Sequence, residues 1–283
     1  MSGYIGWGSD EAARGPMSWG GARAIVEGMR PFRFGAVGGF APTGQAWTAF
    51  ARRTEELGYS TLLVPDTLNT FSPFAATAAA AAVTTRLHVG TYVAASPIRT
   101  PATVAWEAST LHRLSDGRFE LGLGAGRPMG RVDAEKLGVE FGSAQWRLAR
   151  VAETLDLVRE VPILMAASSP AALRLAAERA DTVALALAAD ATEERLSAKL
   201  DELYEIAGDR FGKLELMVNL AGVNGVPAWM DPSTAGIGVL SGSVEQMVDT
   251  LERRRDKLGI SYVSVNGQYL EQLAPVVERL AGT

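Results

Sequence analysis

A short inventory of side chains in this chain can do chemistry. Its 283 residues contain no cysteine and two histidines, His88 and His112. Thiolate nucleophiles, disulfides, iron–sulfur clusters and thiolate zinc sites are therefore excluded, which leaves carboxylates, hydroxyls, guanidiniums and backbone N–H groups. His88 opens a β-rich run and His112 ends a helical one, so both read as hydrogen-bonded structural groups and no metal site is expected. The stretch GRFELGLGAGRPMGR, residues 117–131, looks like a phosphate cradle. Its glycines at 122, 124 and 126 do not follow G-x-G-x-x-G, and Arg127-Pro128 falls where a pyrophosphate-binding helix should begin. The stretch reads instead as a strand end, where missing side chains let a flat ligand or a neighbouring backbone come close. A second candidate is Ser168-Ser169-Pro170. Ser169 can cap a helix starting at Pro170, and such a terminus either binds an anion or is simply capped.

Positioning these groups requires a scaffold, and the pattern after residue 32 supplies one. Short β-rich runs alternate with longer helical ones, which implies a parallel sheet. Strands are expected at Arg33–Gly38, Thr61–Pro65, Leu87–Ala94, Arg118–Leu123, Ile163–Ala167, Thr182–Leu187, Leu214–Ala221 and Tyr262–Asn266. Runs such as TLLV and TVALAL suit strands buried on both faces. Trp47, Phe50, Thr54 and Leu57 share one helical face, with Gly58 as a left-handed stop. Thr100-Pro101 opens a helix whose stripe is Val104, Ala108 and Leu111, and Ser243 to Gln246 has capping-box spacing. Eight such units predict a single-domain α/β fold, a (β/α)8 barrel over residues 31–283, with a doubly wound open sheet as the alternative. In a barrel, active sites lie at the C-terminal ends of the strands, and both histidines fall at the other end.

Composition bounds the partners. A net charge of −5 lacks the basic surplus of a nucleic-acid binder. No apolar run is long enough for a membrane span and no secretory signal opens the chain, so a cytoplasmic location is expected. Residues 1–30 have no sustained period and read as an arm, or as an upstream extension with Met29 the effective start. Trp7 and Trp19 favour an arm that packs on a partner subunit.

The segments ELGYSTLLVPD, RLHVGTYVAASPIRTPATVAWEASTLHRLSDGRFELGLGAG and PILMAASSPAALRLAAERADTV resemble the luciferase-like monooxygenase family, in particular its coenzyme F420-dependent oxidoreductase branch. The resemblance implies a homodimeric barrel that binds F420, or alternatively FMN, at its C-terminal mouth against the ends of the second to fourth strands. Asp66 matches the aspartate of the family's Asp-His pair. Thr91, Tyr92, Val93 and Ala95 match a third-strand segment with a non-prolyl cis peptide, expected at Tyr92–Val93, and Ala125 and Gly126 match residues that line the cofactor. Ser168, Ser169, Ala171 and Ala172 match the phosphate loop, where relatives usually carry glycines.

Two positions depart from that pattern. The family's histidine is Thr67 here, and a glutamate found in some of these reductases is Arg127, so the familiar acid and base are both missing. The sugar-phosphate dehydrogenase activity of one branch is therefore not carried over. Three readings remain. One is an F420-dependent reductase of an activated C=C or C=N bond of a small substrate, with Arg127 gripping a carboxylate and Tyr92 or Thr67 assisting protonation; Arg127 paired with Asp133 or Glu135 is the alternative. The second is an FMN-dependent monooxygenase, and the third a barrel that binds without turnover. Of 27 basic residues 23 are arginine, a bias of the GC-rich genomes in which F420 occurs, and this tilts the choice to the first. Substrate contacts are expected from variable loops such as Asn224–Thr234, where Trp229 either covers the mouth or packs on the loop.

Overall fold

The computed structural model describes residues 29–228, 230, 231 and 236–283. The arm with Trp7 and Trp19, apart from Met29 and Arg30, lies outside them, as does Trp229. Eight parallel staves close into a ring: β1 (Arg33–Val37), β2 (Thr61–Val64), β3 (His88–Thr91) continued by β4 (Ala94–Ala95), β5 (Phe119–Gly124), β6 (Ile163–Ala167), β7 (Thr182–Leu185), β8 (Glu215–Leu220) and β11 (Ile260–Asn266). β11 pairs with β1, and β3 pairs with β5, so the ring has no open edge. Beyond β8 the short strands β9 (Gly222–Val223) and β10 (Val239–Leu240) pair in parallel within one loop. The barrel is thus the expected fold, and an open doubly wound sheet is excluded.

Helices α1 (Gly44–Glu56), α2 (Pro73–Ala81), α3 (Pro101–Leu114), α4 (Gly130–Lys136), α5 (Ala144–Leu157), α6 (Pro170–Arg179), α7 (Glu193–Ala207), α8 (Val244–Leu258) and α9 (Leu270–Leu280) cover the ring. Their ends follow local rules. Thr100 caps α3 by accepting from the Thr103 N–H, and its stripe Val104, Ala108 and Leu111 is buried. Ser243 and Gln246 form both halves of a capping box at α8, which stops at Gly259 in the left-handed region.

One expected strand is interrupted. Leu87–Ala94 breaks after Thr91, and the peptide between Tyr92 and Val93 is cis, as expected from the family segment. The glycines of the 117–131 stretch answer to this break. A Cβ on Gly122 would overlap the Thr91 carbonyl oxygen, and one on Gly124 would stand 2.5 Å from a Val93 methyl. They admit a neighbouring backbone, not a phosphate.

Inside the ring, Leu63, Leu164, Ala184, Met217 and Tyr262 form a buried layer. Below it, at the N-terminal end, Arg33 bonds Glu215 at 2.7 Å and Glu120 at 3.0 Å, and the Tyr262 hydroxyl donates to Glu120 at 3.0 Å. This closes the bottom of the barrel. His112 lies at the same end with Nδ1 3.0 Å from the Phe119 carbonyl oxygen. His88 departs from expectation: it is exposed and has no side-chain hydrogen bond among the described residues, because it begins β3 where the strand leaves solvent.

Candidate active site

Because all eight staves run the same way, their C-terminal ends share one rim, and the sequence-derived candidates are distributed around it. Asp66 follows β2, Tyr92 and Val93 follow β3, Ala125, Gly126 and Arg127 follow β5, and Ser168 and Ser169 follow β6. On this rim opens a cavity of about 570 Å³, in the range typical of small-molecule and cofactor sites, roughly 300–1,000 Å³. Leu185 to Asp190 after β7, Val218, Asn219 and Ala221 at the end of β8, and Met230, Asp231, Ile237 and Gly238 from the following loop form most of its wall. Tyr92 and Arg127 close it from the opposite side.

The cavity is therefore centred on β7 and β8 rather than on the second to fourth staves, where the ring was expected. Two loops hold that wall together: the Gly238 N–H bonds the Ala189 carbonyl at 3.0 Å and the Ile237 N–H bonds Ala191 at 2.8 Å. Arg254 of α8 secures Ile237 from behind through its carbonyl, at 3.1 Å. The expected substrate loop does contribute, through Met230 and Asp231.

Of the expected site residues, Tyr92 and Arg127 line the cavity and the others do not. Asp66 is occupied locally: its carboxylate accepts from the Ala95 N–H at 3.1 Å and pairs with Arg99. Burial pushes the Asp66 carboxyl above its usual range despite Arg99. Arg99, in the PIRTP segment, was not singled out in the sequence. A buried aspartate at a strand end needs a cation, and that need was the available signal. Thr67 is half-buried with its hydroxyl 3.4 Å from that of Thr70, and the Thr91 hydroxyl, fully buried, donates to the Gly122 carbonyl at 2.6 Å.

The β6–α6 loop shows the cap. Ser169 accepts from the Ala172 N–H at 3.3 Å, Ser168 is exposed, and its carbonyl accepts from Lys199 at 3.2 Å. Ala171 and Ala172 lie in the first turn of α6. At the β5 end the Ala125 carbonyl accepts from Arg147 at 2.6 Å, and Gly126 takes a positive φ of 77° beside Pro97. Arg127 is exposed at the cavity lip and pairs with neither Asp133 nor Glu135. Asp133 instead accepts from the Leu68 N–H.

The chemistry available is thus a guanidinium at the lip, an amide at Asn219, the Tyr92 hydroxyl, the carboxylates of Asp190 and Asp231, and apolar side chains of Leu185, Leu187, Val218 and Ile237. Burial pushes the Tyr92 hydroxyl up to about 12, with Ser264 pulling the other way, so it is a neutral O–H at physiological pH. The cavity thus combines apolar side chains with a few charged and hydrogen-bonding groups, the mixture usual in small-molecule sites.

Known proteins resemble this chain in sequence and in fold. Residues 29–161 match the family described as luciferase-like monooxygenase. An uncharacterised protein of Mycobacterium tuberculosis is 33% identical over 133 residues, 38% of this chain and 44% of the relative. The chain thus matches less than half the length of that relative. An F420-dependent glucose-6-phosphate dehydrogenase of Nakamurella multipartita is 28% identical over 232 residues, 67% of each chain. Among solved structures, the coenzyme F420-dependent tetrahydromethanopterin reductase of Methanopyrus kandleri superposes with a TM-score of 0.71 at 15% identity, covering 89% of this chain and all of that one. A riboflavin lyase with modified FMN and riboflavin gives 0.72 at 13% identity, covering 89% and 93%. Both likenesses are of fold.

Proposed function

We propose that the chain, which matches the luciferase-like monooxygenase family over residues 29–161, is an F420-dependent oxidoreductase that reduces an activated C=C or C=N bond of a small, carboxylate-bearing substrate. The observation that carries this reading is the cavity at the C-terminal rim, with Arg127, unpaired among the described residues, at its lip and Tyr92 across from the β7 and β8 ends. Reduced F420, when bound, supplies the hydride. The chain's own residues have three tasks. The apolar wall excludes water, Arg127 orients the substrate through its carboxylate, and Tyr92 keeps an O–H beside the reacting space. Asp66, already paired with Arg99, shapes the rim. Because Thr67 and Arg127 stand where the resemblance implies a histidine and a glutamate, the sugar-phosphate dehydrogenation named for the Nakamurella relative is not carried over to this chain.

The FMN reading is favoured by the likeness to the riboflavin lyase barrel and separates cleanly by experiment. Purified protein is titrated with F420 and with FMN while their fluorescence is followed. Tight F420 binding with weak FMN binding is the expected result; the reverse preference points to flavin chemistry, and binding of neither points to a barrel without cofactor. Solution scattering or sedimentation tests the proposed homodimer.

A further inference from the structure

Asn219 is out of keeping with its strand: the other residues of β8 are buried, and it is exposed because it faces the cavity. An amide inside a barrel stave is unfavourable unless its hydrogen bonds are met. Here half are. Ser264 stands opposite it on β11 and its hydroxyl donates to Asn219 Oδ1 at 2.8 Å. That bond decides which way the amide points. With Oδ1 held by Ser264, Nδ2 is left with two N–H donors and no acceptor among the described residues. Ser264 also neighbours the buried Tyr92 hydroxyl, so the serine is held between two cavity-lining side chains.

We propose that the Asn219 amide, oriented by Ser264, donates to a carbonyl or carboxylate oxygen of the ligand bound in this cavity, making Asn219 a specificity-determining residue. A ligand without that oxygen leaves a desolvated donor unpaired, the situation in which a polar site discriminates most strongly. Ser264 is a positioning residue. The oxygen belongs either to the cofactor ring or to the substrate; the chemistry is the same, and the two are separated by titration. The assignment rests on the cavity being the cofactor and substrate site proposed above.

Full-length wild type, Asn219→Leu, Asn219→Ser and Ser264→Ala are titrated with F420 and FMN by fluorescence. They are then titrated with cyclohex-2-enone and cinnamate at saturating F420, following the melting temperature. Leucine matches asparagine in size and removes the donors, so Asn219→Leu is expected to weaken binding about tenfold or more, the worth of one well-placed hydrogen bond to a desolvated group. Asn219→Ser, which keeps a hydroxyl donor, is expected to lose less and serves if the leucine variant folds poorly. Ser264→Ala is expected to lose about threefold, since the donor remains but its orientation does not. Weaker F420 or FMN binding assigns the oxygen to the ring; a loss confined to cyclohexenone or cinnamate assigns it to the substrate. Wild-type affinity of Asn219→Leu for all four compounds overturns the proposal. If wild type binds neither F420 nor FMN, the proposed function falls instead, and this assignment falls with it where wild type binds neither of the other two compounds or Asn219→Leu binds them as wild type does.

Discussion

The two ends of the barrel treat their polar groups in opposite ways. At the N-terminal end Arg33 reaches two buried carboxylates, Glu120 and Glu215, and lies over the Tyr262 ring, while Thr182 donates to Glu215 at 2.9 Å. At the C-terminal end Arg127 has no ion partner among the described residues and the Asn219 amide holds two free donors over a cavity. The chain evidently can satisfy a guanidinium when it is built to. Groups left unsatisfied on the rim, where barrel active sites lie, are therefore read as waiting for a ligand, and the paired groups below as stabilising the ring.

The largest effect is expected at the closed end. Arg33→Met removes the cation from two carboxylates that are nearly inaccessible, and breaking one side of a buried pair costs about 3–5 kcal/mol. Urea denaturation should show that loss, with F420 affinity per folded molecule unchanged. A loss under about 1 kcal/mol, the size of an exposed pair, would mean that water replaces the guanidinium and that the two ends do not differ as argued.

Gly122→Ala comes next, and it links the ends. Its methyl group would meet the Thr91 carbonyl, a backbone atom that cannot rotate away, whereas Gly124→Ala would meet a Val93 methyl. Overpacking of this kind costs about 1–3 kcal/mol. Gly122→Ala is expected to lower the melting temperature more than Gly124→Ala and to weaken cofactor binding by moving Tyr92. Equal effects would show that the third stave shifts as a body.

Arg127→Ala should do the converse of Arg33→Met. An exposed side chain without partners changes stability by less than about 0.5 kcal/mol. Substrate KM should rise about tenfold or more with kcat less affected, as for loss of a charged hydrogen bond. An unchanged KM removes Arg127 from the substrate site.

How far these differences were legible in the sequence depended on their range. Strands of buried apolar runs and helices with Thr100, Ser169 or Ser243 caps are set within a few residues, so the eight units could be read directly. Helix α4 and the β9–β10 pair escaped because their segments carry no sustained period, and the break after Thr91 came from the family segment, not from composition. Pairings distant in sequence were illegible. Asp66 with Arg99, Arg33 with Glu120 and Glu215, and Asn219 with Ser264 depend on which staves become neighbours. Asn219 nevertheless left a trace, as the single amide in the run LMVNLAGV near the C-terminal end of a stave. Of the loop Asn224–Thr234, expected to supply substrate contacts, Met230 and Asp231 line the cavity.

The smallest predicted effect tests whether the rim, too, contains a balanced pair. The Asp66 carboxyl is pushed up first by burial, with Asp133 adding slightly, while Arg99 and the Ala95 N–H pull it down; Glu107, also raised by burial, shares Arg99 at 3.8 Å. A carboxyl whose pKa is higher folded than unfolded, where it is about 3.9, holds its proton more tightly in the native state. Its contribution to stability is then complete below the unfolded value and is lost as pH rises through the folded one. Measured by urea unfolding from pH 4 to 7, the stability of wild type relative to Asp66→Asn should therefore decline as pH rises. An increase would mean that Arg99 outweighs burial, so that Asp66 and Arg99 form a compensated pair like Arg33 with its carboxylates. The contrast between the two ends would then narrow to Arg127 and Asn219.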